Sequence, residues 1–134
     1  MSARSHASPQ QILAGAGIRF AYLFGSRALG AAHPDSDADI AVMPSREIGL
    51  LAQGGLVVDL AVALGVSEVD LVMVDHASLE LRGRIVREGR VLYSADEPAR
   101  VAFEVRTLSE YLDWVPTLRI LERSRLTHIA KHGL

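Results

Sequence analysis

No cysteine occurs in the 134 residues, which removes disulfides and thiolate metal sites and suits a reducing compartment. Aromatic residues are scarce, with three Phe, three Tyr and one Trp, so an aliphatic core is expected. A basic excess is missing as well: 14 Lys and Arg stand against 16 Asp and Glu, a formal net charge of -2. That balance excludes a surface built throughout to hold nucleic acid. A phosphate-bearing partner must then be held locally. The apolar runs are too short or too interrupted to span a bilayer, and the leading MSARSHASPQ carries no apolar segment of the signal-peptide kind. A cytoplasmic protein that binds neither membrane nor nucleic acid is the expectation.

What is present is a chain 49% hydrophobic and 22% charged, the balance of a globular protein. Its length suits one domain over residues 1–134, with a core over about 8–95 and C-terminal helices over about 97–131. Short β-type runs alternate with stretches of helical period, the mark of an α/β layer fold. After a short helix over 9–15, strands are predicted over 19–24, 38–43, 69–74 and 91–93. Pro44 should stop the second of them. Helices are predicted over 47–64, closed by Gly65, and from Ser78 to a stop at Gly89. From about residue 98 onward a helical tail begins, which Pro116 should kink or break into two segments. Within it Val101, Val105, Leu108, Leu112 and Val115 recur at helical spacing, so that this face should pack on the sheet or on a partner. A small mixed sheet flanked by helices results, with a helical tail.

The stretch LFGSRALGAAHPDSDADIAV carries the chemistry. Asp37 and Asp39 stand at i and i+2, on one face of an extended strand and about 7 Å apart along it. Two such carboxylates repel each other unless a divalent cation lies between them, and Mg²⁺ is commonly shared between carboxylates and substrate phosphates. Gly25 ends the first strand and Ser26 follows it, with ten residues between that pair and Asp37. A glycine there lets backbone N–H groups approach a phosphate closely, and Ser26 adds a hydroxyl donor. Asp70 lies within the apolar run VSEVDLVMVD, and a carboxylate in a buried strand is costly unless paired. Two metal ions bridged by Asp37 and Asp39, with Asp70 on one of them, would support in-line attack at phosphorus.

The segment GSRALGAAHPDSDADI resembles the signature of the DNA polymerase β-type nucleotidyltransferase superfamily. Its spacing is that of the minimal nucleotidyltransferase (MNT) family, and the likeness extends through VDLVMV, REGRVLYS and FEVRTLSEYLDWVP. The resemblance implies a polymerase β-like fold and a Mg²⁺-dependent transfer of nucleoside monophosphate from a triphosphate such as ATP, with two ions. It assigns Gly25 and Ser26 to phosphate, Asp37 and Asp39 to both metals, and Asp70 to the catalytic metal and acceptor activation. Family members commonly carry a basic residue where this chain has Leu29, and Arg27 or a tail residue is the candidate replacement at the phosphates. The resemblance further implies a type VII-like antitoxin that transfers AMP to a tyrosine of a HEPN-domain toxin, held as a hetero-oligomer. The alternatives are an antitoxin acting by contact alone and an aminoglycoside-type nucleotidyltransferase.

Other readings of the same residues are weaker. Asp35, Asp37 and Asp39 match the first positions of a calcium loop, but Ile40 stands where that loop needs glycine and Arg46 where it needs glutamate. Asp59 and Asp75 rival Asp70 as the third carboxylate. Arg123 and His128 have the R-x4-H spacing of a HEPN nuclease, on a tail too short to build that bundle. His33 reads as a surface loop residue. Tyr111 and Trp114 read as core or interface anchors rather than base-stacking groups.

Overall fold

The computed structural model describes residues 7–25 and 37–132, the last stretch beyond residue 114 by its backbone alone. Helix α1, Pro9–Gly15, opens on a capping box in which the Ser8 hydroxyl accepts from the Gln11 amide and the Gln11 side chain accepts from the Ser8 amide. Proline at the first helical position costs nothing there, because that N–H would have no helical partner. Strand β1, Ile18–Phe24, follows, then β2, Ala38–Pro44. Helix α2, Leu50–Leu64, ends at Gly65 in the left-handed conformation. Strand β3, Val69–Met73, runs into a 3-10 turn, Val74–His76. Helix α3, Leu79–Glu88, is capped by the Ser78 hydroxyl, which accepts from the Leu81 amide. Strand β4, Arg90–Ser94, and helix α4, Glu97–His132, complete the chain.

The four strands form one mixed sheet in the order β3-β2-β1-β4. β1 is antiparallel to both β2 and β4, whereas β2 and β3 run parallel and are joined through α2. Alternation along the strands sends side chains to two separate cores. On one face Ala38, Ile40 and Val42 of β2 pack with Leu13 of α1 and with Leu56 and Leu60 of α2. On the other, Phe20, Tyr22 and Phe24 of β1 pack with Ile85 of α3 and Phe103 of α4. The Phe20 and Phe103 ring centroids lie 5.5 Å apart, and Phe20 meets Tyr22 edge-on at 5.9 Å. Scarce as they are, three of the aromatics are gathered in β1.

The predicted elements are present, three strands being longer by one or two residues, with Pro44 closing β2 from within, and four differences are larger or bear on packing. The helix predicted from 47 begins at Leu50, behind Gly49 as its cap. The third strand ends at Met73, one residue early, because Val74 enters the 3-10 turn. Helix α4 is continuous, 36 residues long, and passes through Pro116. Proline forfeits one helical hydrogen bond but its fixed φ is itself helical, so flanking turns on both sides carry the helix across. Of the two expectations for the valine and leucine face of α4, packing on the sheet is not met, and a partner is the one left. Phe103 and Thr107 are buried, while Val101, Val105 and Leu112 are largely exposed. Phe103 governs the rotation of the helix, since a phenyl ring between Phe20 and Tyr22 buries more apolar area than a valine could.

Polar anchors fix that rotation. The Tyr22 hydroxyl, buried beneath α4, donates to Glu104 Oε2 at 2.7 Å, and Arg100 Nη1 reaches the same oxygen at 2.6 Å. Burial, then the Glu104 carboxylate, pushes the Tyr22 hydroxyl far above its ordinary value, so it stays protonated and donating. At the start of α4, Asp96 caps the Ala99 amide at 3.1 Å and pairs with Arg19 of β1 at 3.0 Å.

Candidate active site

β1, β2 and β3 bring Gly25, Asp37, Asp39 and Asp70 together at one end of the sheet. In the register of the strands, Asp39 lies opposite Phe24 of β1 on one side and Asp70 of β3 on the other. Gly25, the next residue after Phe24, has φ of +78°. A methyl group on it would fall directly on the Asp39 carboxylate. Glycine is therefore required twice, by the left-handed backbone and by the oxygen against it. Gly25 and Asp39, fourteen positions apart in the sequence, are packed as one unit.

Asp39 is half-buried on the face that carries the aromatic core. Its carboxyl is held above the ordinary carboxylate range, first by burial, next by the neighbouring Asp70 carboxylate, and less by Asp37. Arg84 of α3 opposes them and, among the described residues, is the cation that lowers it. Like charges that raise one another's proton affinity are the arrangement a divalent cation relieves. Asp39 and Asp70 are the pair best placed to hold one. Asp37 is exposed immediately before β2 and adds a third negative group on the same side. Among the described residues no group of three His, Cys, Asp or Glu side chains is placed to hold a metal ion.

One expectation about this trio is overturned. Asp70 is exposed, not buried. β3 is an edge strand, paired to β2 alone among the described residues, so its polar side chain reaches solvent and needs no partner to be tolerated there. The apolar run around Asp70 serves both cores, with Val69, Leu71 and Met73 on the α2 face and Val72 and Val74 on the aromatic face.

The rivals stand elsewhere. Asp59 is exposed on α2, the helix on the opposite face of the sheet. Asp75 lies in the 3-10 turn beyond the far end of β3, with the His76 ring 3.8 Å away. Ile40 is buried within β2, which excludes the calcium loop, since that loop cannot begin a strand. Ser26, Arg27, Leu29, His33 and Asp35 lie outside the described residues, as do the side chains of Arg123 and His128. Tyr111 meets Trp114 at 5.9 Å and lies under Arg87, whose guanidinium is 4.7 Å from the ring centroid. Tyr111 therefore anchors α4 to α3, and Trp114 packs on Tyr111 along α4. Arg84 was missed by sequence reasoning, which sought a cation in the loop or the tail. The available signal was that Arg84 precedes Ile85, whose buried side chain ties that turn of α3 to the sheet.

The chain matches the family model described as polymerase beta, nucleotidyltransferase, over residues 10–98. It is 37% identical over 94 residues to the protein adenylyltransferase MntA of Shewanella oneidensis, an alignment covering 70% of this chain and 66% of the relative. Just under two thirds of that relative's length is thus spanned. Among solved structures, a toxin-antitoxin with AMP-PNP superposes with a TM-score of 0.69 at 31% identity, covering 86% of this chain and 94% of the other. A tri-AMPylated Shewanella oneidensis HEPN toxin in complex with MNT antitoxin gives a TM-score of 0.67 at 27% identity, covering 93% and 99%. Among the described residues no helix is long and apolar enough to cross a membrane.

Proposed function

Because the chain belongs to the polymerase β nucleotidyltransferase family, we propose that it transfers AMP from ATP to a tyrosine of a HEPN-domain partner and so acts as an antitoxin in the cytoplasm. The observation that carries this reading is the alignment of Gly25, Asp39 and Asp70 across three adjacent strands. The relatives bearing the same fold are a protein adenylyltransferase and the antitoxin of a tri-AMPylated toxin.

In this reading the left-handed Gly25, directly after β1, opens the way to the triphosphate, which Ser26 and Arg27 would bind as the family resemblance assigns them. Asp37, Asp39 and Asp70 would hold Mg²⁺, which when bound neutralises the phosphates and activates the phosphorus for attack. Arg84 offsets part of the upward push that burial and Asp70 exert on Asp39. Asp70, exposed at the sheet edge, accepts the phenolic proton as the tyrosine oxygen bonds to the α-phosphorus. The bond from that phosphorus to the bridging oxygen breaks, and pyrophosphate leaves with the electron pair. Tyrosyl-AMP and pyrophosphate are the products.

A contact-only antitoxin has one observation in its favour, the exposed Val101, Val105 and Leu112 on α4. The two readings separate in one experiment. The protein, its HEPN-domain partner, Mg²⁺ and ATP labelled at the α-phosphate should give labelled partner, and Asp39→Asn should still bind the partner without labelling or neutralising it. Neutralisation that survives Asp39→Asn assigns the effect to contact. No labelling in a complex that forms would overturn the transferase reading.

A further inference from the structure

The outer edges of the sheet differ. At β4, the Gln10 side chain donates to the Leu92 carbonyl at 3.0 Å and α1 packs alongside. At β3, the outward backbone groups meet no other strand among the described residues. A row of unpaired N–H and C=O groups is a template for a further strand.

Beside this edge, α2 presents an apolar stripe to solvent. Leu51, Val58 and Val62 are 93%, 61% and 66% exposed, and their spacing of seven and four residues puts them on one side of the helix. Between them, Gly54 and Gly55 have open space where a Cβ would be. Two glycines inside a helix cost about 1 kcal/mol each relative to alanine, and nothing packed against them here requires it. Where α2 approaches β3, Val58, Ala61, Val62, Val66 and Val69 line an open groove of about 430 Å³. It ends one residue from Asp70, whose side chain lies on the other face of the sheet with Asp39.

We infer that the edge of β3, which no described strand pairs, receives the acceptor as an added strand, with the acceptor tyrosine beside Asp70 and the residues immediately before and after it, both aliphatic, in the α2 groove. This rests on the transferase reading above and names the segment that site selects. The two halves are linked by the alternation of a β-strand: a side chain on the Asp70 face obliges its two neighbours to point to the α2 face. Backbone pairing would supply affinity and the groove specificity. Charge argues against a second copy as the occupant, since pairing β3 with its own twofold mate brings the exposed Glu68 and Asp70 of both copies together. The same two carboxylates favour an acceptor with basic flanks.

The test uses Val62→Lys, a solvent-exposed position outside the catalytic groups, and two peptides of one composition. In Arg-Thr-Val-Tyr-Val-Thr-Arg the valines adjoin the tyrosine; in Arg-Val-Thr-Tyr-Thr-Val-Arg they lie two positions away. With labelled ATP and Mg²⁺, the wild-type protein should modify the first peptide at least tenfold more efficiently. Val62→Lys should erase that preference and raise KM for the HEPN-domain partner at least tenfold, with kcat and ATP binding unchanged. Equal use of the two peptides, or an unchanged KM for the partner, overturns the inference while leaving the transferase reading intact. Failure of the wild-type protein to label partner or peptide overturns that reading instead. If Val62→Lys abolishes self-association at unchanged KM, the groove belongs to a second copy and the inference is wrong.

Discussion

The two faces of the sheet are built from different chemistry. Leu13, Ile40, Val42, Leu56 and Leu60 make one face aliphatic, and the side chains packed there can be exchanged only at the expense of packing. The other carries the rings of Phe20, Tyr22, Phe24 and Phe103 together with Asp39 and the Tyr22-Glu104-Arg100 hydrogen bonds. One strand serves both, since β2 turns Ile40 and Val42 one way and Asp39 the other. Stability and chemistry are therefore separable by single substitutions one residue apart. The largest expected effect breaks that separation from the catalytic side. Asp39→Asn should lower AMP transfer by about a thousandfold or more, the scale of losing several kcal/mol of charge stabilisation at the reacting phosphate.

The same substitution should not destabilise the fold. Because Asp39 binds its proton more tightly when folded, its stabilising contribution is complete below the unfolded value and is lost as pH rises through the folded one. At neutral pH and without Mg²⁺, the ionised carboxylate opposes folding, and Asp39→Asn should melt at or above the wild-type temperature. A lower melting temperature in chelator would show that Asp39 is not under strain from Asp70. On the opposite face, Leu60→Ala should cost about 2–5 kcal/mol by denaturant unfolding, because Leu60 is fully buried between α2 and the sheet. Transfer activity per folded molecule should be unchanged. If it falls, the two faces are coupled and the comparison fails.

Much of this was legible in the sequence because it depends on local pattern. The boundaries of α1, the caps at Ser8 and Ser78 and the stop at Gly65 follow from residues within a turn of one another. The juxtaposition of Gly25 and Asp39 was legible because the two stand in one short motif whose spacing resembles a family signature. What was not legible depends on who sits beside whom. The apolar neighbours of Asp70 read as a buried strand, and only the sheet order makes β3 an edge and Asp70 exposed. In α4 a regular valine and leucine spacing suggested the packed face, whereas the position of β1 aromatics selected Phe103. Arg84 faces the site because α3 crosses the sheet there, which no spacing along the chain encodes.

A smaller effect sharpens the aromatic face itself. Gly83 of α3 lies so close to Tyr111 of α4 that a methyl group would overlap the ring. Gly83→Ala should cost about 1–3 kcal/mol, the scale of overpacking, although alanine is the better helix former. Combining it with Tyr111→Ala should recover part of that loss by opening the space. Non-additivity of this sign in a double-mutant cycle would place the contact between the two helices rather than within α3. An additive result would remove the glycine from the account of how α3 and α4 pack.

The smallest effect lies at the rim, where α4 begins. Glu97 is fully exposed yet its carboxyl is lowered to about 2, chiefly by its hydrogen bonds with Arg100. A carboxyl with a depressed folded value contributes fully above its unfolded value, near 4.5, and loses that contribution as pH falls toward 2. Wild-type stability should therefore decline slightly more steeply than that of Glu97→Gln across this window, and the two curves should differ by a constant amount above it. Solvent screening keeps the difference small and salt should shrink it further. Arg100 would retain its contact to Glu104 throughout, so the Tyr22 hydrogen bond should persist as the rim pair is lost. A slope that survives Glu97→Gln undiminished would move the acid sensitivity to Asp96 and its pair with Arg19, the other carboxylate held low at this end of the helix.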